Sequence, residues 1–385
     1  MARSLTKFPH SDIITLTAQT ADYDLAESVG PDLRLRDLMG GDLAGGDLLS
    51  GDLGDLADLP LAYGSAPGRL DLRQAIGAVH DADANDVVVT VGGMHALFLI
   101  ATILCEPGDE AVLTAPHFPN TRAVLETTGA TIRTLKLAFE DRYRLTAEAL
   151  REHLSPRTRL ICLTSPQNPS GVTTPTQTIA DVLRLMQSIC PDAFLLLDET
   201  YREAVYGSSA VVPSPAYLSP RIISCASLSK CHGAPGLRLG WAITRDPELR
   251  RQLVLGKFNT VISNSAIDEA LALRVLNRRD AILSERRERL GEAVACVADW
   301  VAAESDLMEW VRPDAGALCC VRLRPVLDEA AVSRFYGELD REGVRVAPGP
   351  WFGEEARVFR LGFGLLAPLD LRQALGRLSA VLRRL

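Results

Sequence analysis

The segment with the clearest chemical pattern contains a lysine flanked by residues of types that bind phosphate. Ser227 and Ser229 precede Lys230, and a glycine-rich turn leads on to Arg238. A lysine amine forms an imine with an aldehyde, while hydroxyls and a guanidinium bind phosphate. The spacing predicts a site for a phosphorylated aldehyde that is attached covalently to Lys230. Taken alone, the same residues also fit an ordinary surface loop.

A carboxylate and a phenol follow an apolar run at residues 195–197. Asp198 ends this run, and Tyr201 lies three residues further on. An acid at the carboxyl end of a buried parallel strand lies where α/β sheets contact their ligands. Such a carboxylate could keep a pyridine nitrogen protonated, which makes the ring an electron sink, and Tyr201 could donate to a phenolic oxygen. The alternatives are a helix N-cap for Asp198 and a core position for Tyr201.

Two further motifs could complete such a site. Asn168 begins the Asn-Pro-Ser-Gly motif at 168–171, which is typical of a turn but also offers a second donor to a phenolic oxygen. Gly92 and Gly93, followed by Met94, lie between a strand-like and a helix-like segment, where free backbone N–H groups can bind a phosphate. Neither motif is specific by itself.

The elements that must position these residues alternate along the chain. Short apolar runs predict strands at 87–91, 110–113, 131–135, 160–163, 194–197 and 221–224, with helical patterns between them, such as 94–104 and 179–188. This alternation predicts a mostly parallel sheet that is covered by helices on both faces. A long charged helical stretch at about 266–303, followed by strand candidates at 317–323 and 358–362, predicts a smaller α+β domain.

The first sixty residues differ from the rest. Gly-Asp-Leu units begin at Gly41, Gly46, Gly51 and Gly54, and this glycine density disfavours a continuous helix. We therefore predict an N-terminal arm at 1–60 that forms part of the small domain, a large domain at 61–265, and a C-terminal small domain at 266–385. A chain of 385 residues is long enough for two cores.

Composition narrows the class of partner. The net charge of -8 argues against a nucleic-acid binder. No apolar run approaches eighteen residues, which argues against a membrane span, and no export signal precedes the folded region. None of the 8 cysteines forms the C-x-x-C spacing of a zinc or redox site. The predicted partners are small molecules, with no metal, and the predicted location is the cytoplasm.

Together these motifs resemble the pyridoxal-phosphate (PLP)-dependent aminotransferases of class I/II. The resemblance spans roughly residue 61 to the C-terminus and rests on five motifs, at 63–64, 168–171, 198–201, 227–238 and 360–362. It implies an α/β protein of PLP fold type I, with a mostly parallel central sheet in a large domain and a smaller α+β domain. It also implies pyridoxal 5′-phosphate as the cofactor.

The resemblance assigns roles around the cofactor's reactive ring. Lys230 would hold the cofactor as a Schiff base and later carry the proton, and Asp198 would pair with the ring nitrogen. Asn168 and Tyr201 would contact the phenolic oxygen. Arg360 would bind the α-carboxylate of the substrate, and Asn168 would also contact the substrate.

The remaining implied roles concern the phosphate and the ring face. Backbone groups of Gly93 and Met94 and the side chains of Ser227, Ser229 and Arg238 would bind the phosphate. Phe118 would stack on the ring, although its local pattern fits a core phenylalanine nearly as well. Tyr63 would reach the phosphate of the neighbouring subunit, which implies a homodimer with shared active sites.

The implied reaction is transamination between an amino acid and a 2-oxo acid, through a Schiff base and a quinonoid intermediate, in amino acid biosynthesis. The same apparatus also supports elimination, replacement or cyclisation by a lyase or cyclase of specialised metabolism. The arm loosely resembles capreomycidine-synthase-like enzymes that act on arginine derivatives. A non-catalytic DNA-binding regulator is disfavoured, because Lys230 is present and the acidic arm has no helix-turn-helix pattern.

Some features depart from the family pattern. Lys230 is followed by Cys231 and His232, and His232 could contact substrate. In the arm, Asp22, Tyr23 and Glu27 could reach a basic side chain of a substrate, or could form a solvated face.

Overall fold

The computed structural model of the chain describes residues 12–14, 21–38, 56 and 59–385. The Gly-Asp-Leu units that begin at Gly41, Gly46, Gly51 and Gly54 lie outside these residues.

The strands within the described residues are short, and most lie where apolar runs predict them. They are β1 (Tyr23–Asp24), β2 (Val87–Val91), β3 (Glu110–Ala115), β4 (Thr131–Lys136), β5 (Thr158–Thr164), β6 (Phe194–Asp198), β7 (Ile222–Ser227), β8 (Leu239–Thr244), β9 (Met308–Val311), β10 (Leu318–Leu323), β11 (Val344–Arg345), β12 (Ala347–Pro348) and β13 (Val358–Gly362).

The α-helices of the same residues alternate with the strands of the first half and cluster in the second. They are α1 (Leu70–His80), α2 (Gly92–Leu104), α3 (Pro119–Thr127), α4 (Ala147–Arg151), α5 (Thr176–Ile189), α6 (Pro247–Val261), α7 (Ala266–Asn277), α8 (Arg279–Ala303), α9 (Glu329–Arg341) and α10 (Pro368–Leu382). None of these helices combines the length and the apolarity needed to cross a membrane.

The central sheet has seven strands in the order β2-β8-β7-β6-β5-β3-β4. Neighbours from β7 to β4 pair in parallel, while β8 runs antiparallel to both β7 and β2. The α/β class with a mostly parallel sheet is therefore confirmed. Strand β8 was not predicted, because it follows a glycine-rich turn and contains Gly240.

Both faces of this sheet are buried, as continuous apolar strands require. Leu160 and Cys162 pack with helix α2 on one face, whereas Ile161 and Leu163 pack with helix α5 on the other. Since parallel strands end at one edge, the carboxyl ends of β5, β6 and β7 lie side by side. Asp198 pairs in register with Thr164 on β5 and Cys225 on β7.

A second, antiparallel sheet has the order β12-β13-β10-β9. Its core includes side chains of α8, α9 and α10. The described segment at 21–38 joins this region through β1, which pairs in parallel with β11, with Tyr23 opposite Val344.

The stretch predicted to be helical at 266–303 forms two helices, α7 and α8, which are separated at Arg278. The two halves pack in different cores: α7 contributes Leu271 and Val275 to the central-sheet core, and α8 contributes Leu283 to the second. Arg278 leaves helical geometry, and its side chain donates a 2.5 Å hydrogen bond to the backbone carbonyl of Asp37. Asp280 then favours a new helix start through its charge.

Candidate active site

A cavity of about 620 Å³ lies at the carboxyl edge of the central sheet. It is lined by side chains from this edge, from the arm and from β13. The residues with predicted roles that line it are Gly93, Met94, Phe118, Asn168, Asp198, Tyr201, Ser227, Ser229, Lys230, Arg238 and Arg360. Tyr63 does not line it, and its side chain is 81% exposed on the surface of the single chain.

Lys230 lies in the loop after β7 and reaches the cavity from within the protein. The loop is held by a 3.1 Å hydrogen bond from the backbone N–H of Leu228 to the carbonyl of Leu239. Burial lowers the pKa of Lys230 to about 8, although the negative charges of Glu27 and Asp198 oppose this effect. A larger neutral fraction makes the amine a better nucleophile and base near neutral pH.

Asp198 ends β6 and presents its carboxylate to the same cavity. Its Oδ1 accepts hydrogen bonds from the backbone N–H and the hydroxyl of Thr200, at 3.0 and 2.6 Å. Burial raises the pKa of Asp198, because a charge surrounded by protein is poorly solvated, and the two hydrogen bonds only partly oppose this. Such a carboxylate is suited to a cationic partner inside the cavity.

Tyr201 and Asn168 form part of a hydrogen-bonded chain. The Tyr201 hydroxyl is 2.8 Å from the hydroxyl of Ser28, and Asn168 Nδ2 donates to it at 3.5 Å. Burial raises the pKa of Tyr201 to about 12, which keeps the phenol protonated and able to donate. Asn168 Oδ1 in turn accepts a 2.9 Å hydrogen bond from Arg360.

Arg360 is a buried cation on β13 that is 1% exposed. Its guanidinium donates to Asn168 Oδ1 and, at 2.5 Å, to the carbonyl of Ala26, and it stacks 4.7 Å above the ring of Phe352. No carboxylate of the described residues pairs with it. Glu27 and Asp24 act on the pKa of Arg360 by their charges without forming a salt bridge with it. A buried guanidinium that lacks a salt-bridge partner favours a bound anion, and its planar donor pairs match a carboxylate.

The cavity also contains groups of the types that bind phosphate in proteins. Helix α2 begins directly after β2, so backbone N–H groups of its first turn, which includes Gly93 and Met94, have no partner within the helix. Gly92 has φ +71°, and a Cβ there would lie 2.5 Å from a guanidinium nitrogen of Arg238. A side chain larger than hydrogen would therefore crowd Arg238. Ser227 and Ser229 line the cavity beside these groups.

Comparison with known proteins agrees with this geometry. The model of the family Aminotransferase class I and II matches residues 60–378. The chain belongs to this family. This aminotransferase is 30% identical to an arginine–pyruvate transaminase of Pseudomonas aeruginosa, over 82% of this chain and 81% of that protein. It is 29% identical to a capreomycidine synthase of Streptomyces vinaceus, over 84% and 82%.

Solved structures with the same fold include members with different reactions. A PLP-dependent aminotransferase from Streptococcus suis superimposes with a TM-score of 0.86 at 25% identity, over 98% of this chain and 99% of that chain. The PLP-dependent cyclase OrfR superimposes with a TM-score of 0.84 at 24% identity, over 99% of both chains, which shows the shared fold. Family and fold establish the protein as a PLP-dependent transferase.

The described residues fit this cofactor. A carboxylate with a raised pKa suits a protonated ring nitrogen, a nearby amine with a lowered pKa suits an aldehyde, and the α2 terminus with Arg238 suits a phosphate. These three requirements are met within one cavity.

Several residues of the site were missed by sequence reasoning. Thr200 orients Asp198, Ser28 contacts Tyr201, and Phe352 lies under Arg360. The Asp-x-Thr spacing at 198–200 is a recognisable local hydrogen-bonding pattern and could have indicated Thr200. Ser28 and Phe352 carry no such signal.

His232 does not line the cavity, so the prediction that it contacts substrate is not supported. It is 1% exposed, and its Nε2 lies 3.4 Å from a carboxylate oxygen of Glu203. Burial lowers the pKa of His232 to about 4. Cys231 packs nearby, with its sulfur 3.1 Å from the carbonyl oxygen of Thr200.

Proposed function

We propose that this aminotransferase moves the amino group of an amino acid onto a 2-oxo acid. The observation that carries the proposal is the position of Arg360, a buried cation without a carboxylate partner among the described residues, in the same cavity as the amine of Lys230. An α-carboxylate bound by Arg360 would place the substrate's α-carbon within the cavity that Lys230 lines.

Each of the cavity side chains has its own role in the proposed reaction. Bound pyridoxal phosphate supplies an electrophilic carbon and a ring that spreads negative charge. Lys230 holds the cofactor covalently at rest and, once released, moves the proton of the substrate's α-carbon. Asp198 keeps the ring nitrogen protonated. Asn168 and Tyr201 donate to the phenolic oxygen.

The other cofactor contacts hold the ring in place. Gly93, Met94, Ser227, Ser229 and Arg238 anchor the phosphate. Phe118 covers one face of the ring.

The test is a single-turnover experiment. The purified holoenzyme is mixed with amino acids one at a time, and the cofactor is then extracted and separated. Pyridoxamine phosphate and the matching 2-oxo acid are the expected products. Ammonia or a cyclised product, with the cofactor unchanged, would contradict transamination.

A lyase or cyclase acting in specialised metabolism is the second candidate. The 29% identity to a capreomycidine synthase supports it, because that relative covers most of the chain. The groups around the cofactor serve both reactions up to removal of the α-proton. The same product analysis separates the two candidates.

We also propose a homodimer with shared active sites, in which Tyr63 contacts the cofactor phosphate of the partner's site. Tyr63 adjoins Leu61, which is 83% exposed, and Gly64 is hydrogen-bonded to Ser263 near the end of α6. Phe258 on α6 is 52% exposed. Large exposed apolar side chains in one region support an association surface. Light scattering that gives the mass of one chain would refute the dimer.

A cytoplasmic location and a role in amino acid biosynthesis complete the proposal. The eight cysteines are all free thiols, which supports a reducing compartment. The division into an arm at 1–60, a large domain at 61–265 and a small domain at 266–385 also remains a proposal. It is supported by the separate sheets, although α7 packs on the central sheet.

A further inference from the structure

One ionisable side chain of the cavity, Glu27, has no role in the reaction described above. It lines the cavity together with Asp198, Lys230, Arg238 and Arg360. Its carboxylate makes no hydrogen bond or ion pair with any of the described residues. The two other arm residues that could reach a substrate lie elsewhere: Asp22 is 3.8 Å from Arg377, and Tyr23 donates to Gln373 at 2.7 Å.

Contacts on both sides fix the position of Glu27. The carbonyl of Ala26 accepts a hydrogen bond from Arg360, and Ser28 contacts the hydroxyl of Tyr201. The backbone of Glu27 passes so close to Gly362 on β13 that a Cβ there would collide with its carbonyl oxygen. Because the residues before and after it are bound to the site, Glu27 belongs to the wall of the cavity and not to a solvated face.

In the proposed complex, Glu27 would have no cation of its own. The phosphate would face Arg238, and the protonated ring nitrogen would face Asp198. The α-carboxylate would take up the charge of Arg360, on which Glu27 also acts, and Lys230 would be neutral when it acts as a base. Glu27 exerts the largest charge effect on the pKa of Lys230. His117 cannot supply the missing cation at neutral pH, since burial lowers its pKa. A carboxylate shielded by a bound substrate is costly unless a cation pairs with it.

We propose that Glu27 selects an amino acid with a cationic side chain, a guanidinium or an amine, by accepting a charge-assisted hydrogen bond from it. The proposal rests on the proposed function, because it takes the α-carboxylate to lie on Arg360. It adds the chemical class of the substrate side chain. The relatives' names cover arginine, N-succinyldiaminopimelate and aspartate, so they do not single out one side chain.

The experiment compares two ligands of nearly the same shape, L-arginine and its neutral counterpart L-citrulline. Binding to the holoenzyme is measured by the change in cofactor absorption and by calorimetry. A hydrogen bond to a charged group predicts that arginine binds about 10- to 100-fold more tightly. In Glu27→Gln this preference should fall to less than about threefold, through weaker arginine binding with citrulline unchanged. The matched control Asp22→Asn removes an arm carboxylate outside the cavity and should keep the preference.

Equal affinity for the two ligands in the wild-type enzyme would overturn the proposal without any variant. An equal loss of affinity for both ligands in Glu27→Gln would also overturn it, since the role would then be structural. The comparison of L-lysine with L-norleucine gives a second test on the unaltered protein. If the enzyme binds the cationic ligands selectively but forms no pyridoxamine phosphate, the proposed role of Glu27 is supported and transamination is refuted. The experiment therefore distinguishes failure of this proposal from failure of the proposed function.

Discussion

Replacing Asp198 with asparagine separates the charge of this side chain from its shape. The amide oxygen can take the place of Oδ1 and keep both hydrogen bonds from Thr200, at 3.0 and 2.6 Å. Only the negative charge is lost. We expect opposite effects on the protein with and without cofactor.

In the cofactor-free protein the negative charge of Asp198 lowers the stability of the fold. Burial raises the folded-state pKa of Asp198 above its ordinary value, so the protonated form favours folding. That stability is present below the unfolded-state pKa and is lost as the pH rises through the folded-state pKa. At neutral pH the neutral amide should therefore leave the melting temperature of the apoprotein equal or higher.

In the holoenzyme the same change removes the proposed partner of the protonated ring nitrogen. Loss of one member of a buried charge pair costs about 2–5 kcal/mol, or roughly 30- to 5000-fold in cofactor affinity. For a hundredfold loss, cofactor at 1000 times the wild-type Kd stabilises the wild type by about 4.1 kcal/mol and the variant by about 1.4 kcal/mol. For 385 residues this difference corresponds to about 3 °C in Tm.

The assay is a pair of melting curves for each protein, with and without added cofactor, supported by a titration of cofactor absorption. Asp192→Asn is the matched control, because Asp192 is 75% exposed beyond α5 and should change neither curve. A large drop in the apoprotein Tm would refute the reasoning, since Asp198 would then act as a structural cap. Unchanged cofactor affinity would refute the pairing with the ring nitrogen.

Three further outcomes follow from the same cavity. The Lys230→Arg variant should fold and bind the cofactor non-covalently. Mass spectrometry after borohydride treatment should then find no cofactor attached to the chain. Cofactor attached to another residue would contradict the role of Lys230. The neutral amine of Lys230, with a pKa of about 8, attacks the cofactor aldehyde. The rate of covalent cofactor binding by the apoprotein should therefore rise with pH and level off above pH about 8. A rate that does not depend on pH in stopped-flow absorbance measurements would contradict this prediction. Arg360→Lys keeps the charge but loses the planar donor pair, so the KM for amino acids should rise about 10- to 100-fold. An equal loss of cofactor affinity would place Arg360 in the cofactor site instead.

The cofactor end of the site could be predicted from sequence because it is built at strand ends. Buried parallel strands are continuous apolar runs, and their carboxyl ends meet at one edge. Asp198 at the end of β6 and Ser227 at the end of β7 are therefore brought together by pairing alone. Helix periodicity was less informative than the strand pattern. The helical pattern over 266–303 does not indicate that the segments before and after Arg278 pack in different cores.

The substrate end could not be predicted in the same way, because it depends on contacts between distant segments. Two residues of β1 pair with β11, and the docked arm then presents Ala26, Glu27 and Ser28 to Arg360 and the cavity. No local periodicity marks a two-residue strand. This separation matters for specificity. A substitution at Glu27 alters the cavity wall and the charge near Lys230, but it leaves the strands that end at Asp198 and Ser227 unchanged. If Glu27 selects the substrate side chain as proposed, selectivity can vary in the arm while the proposed cofactor-binding groups at the strand ends stay in place.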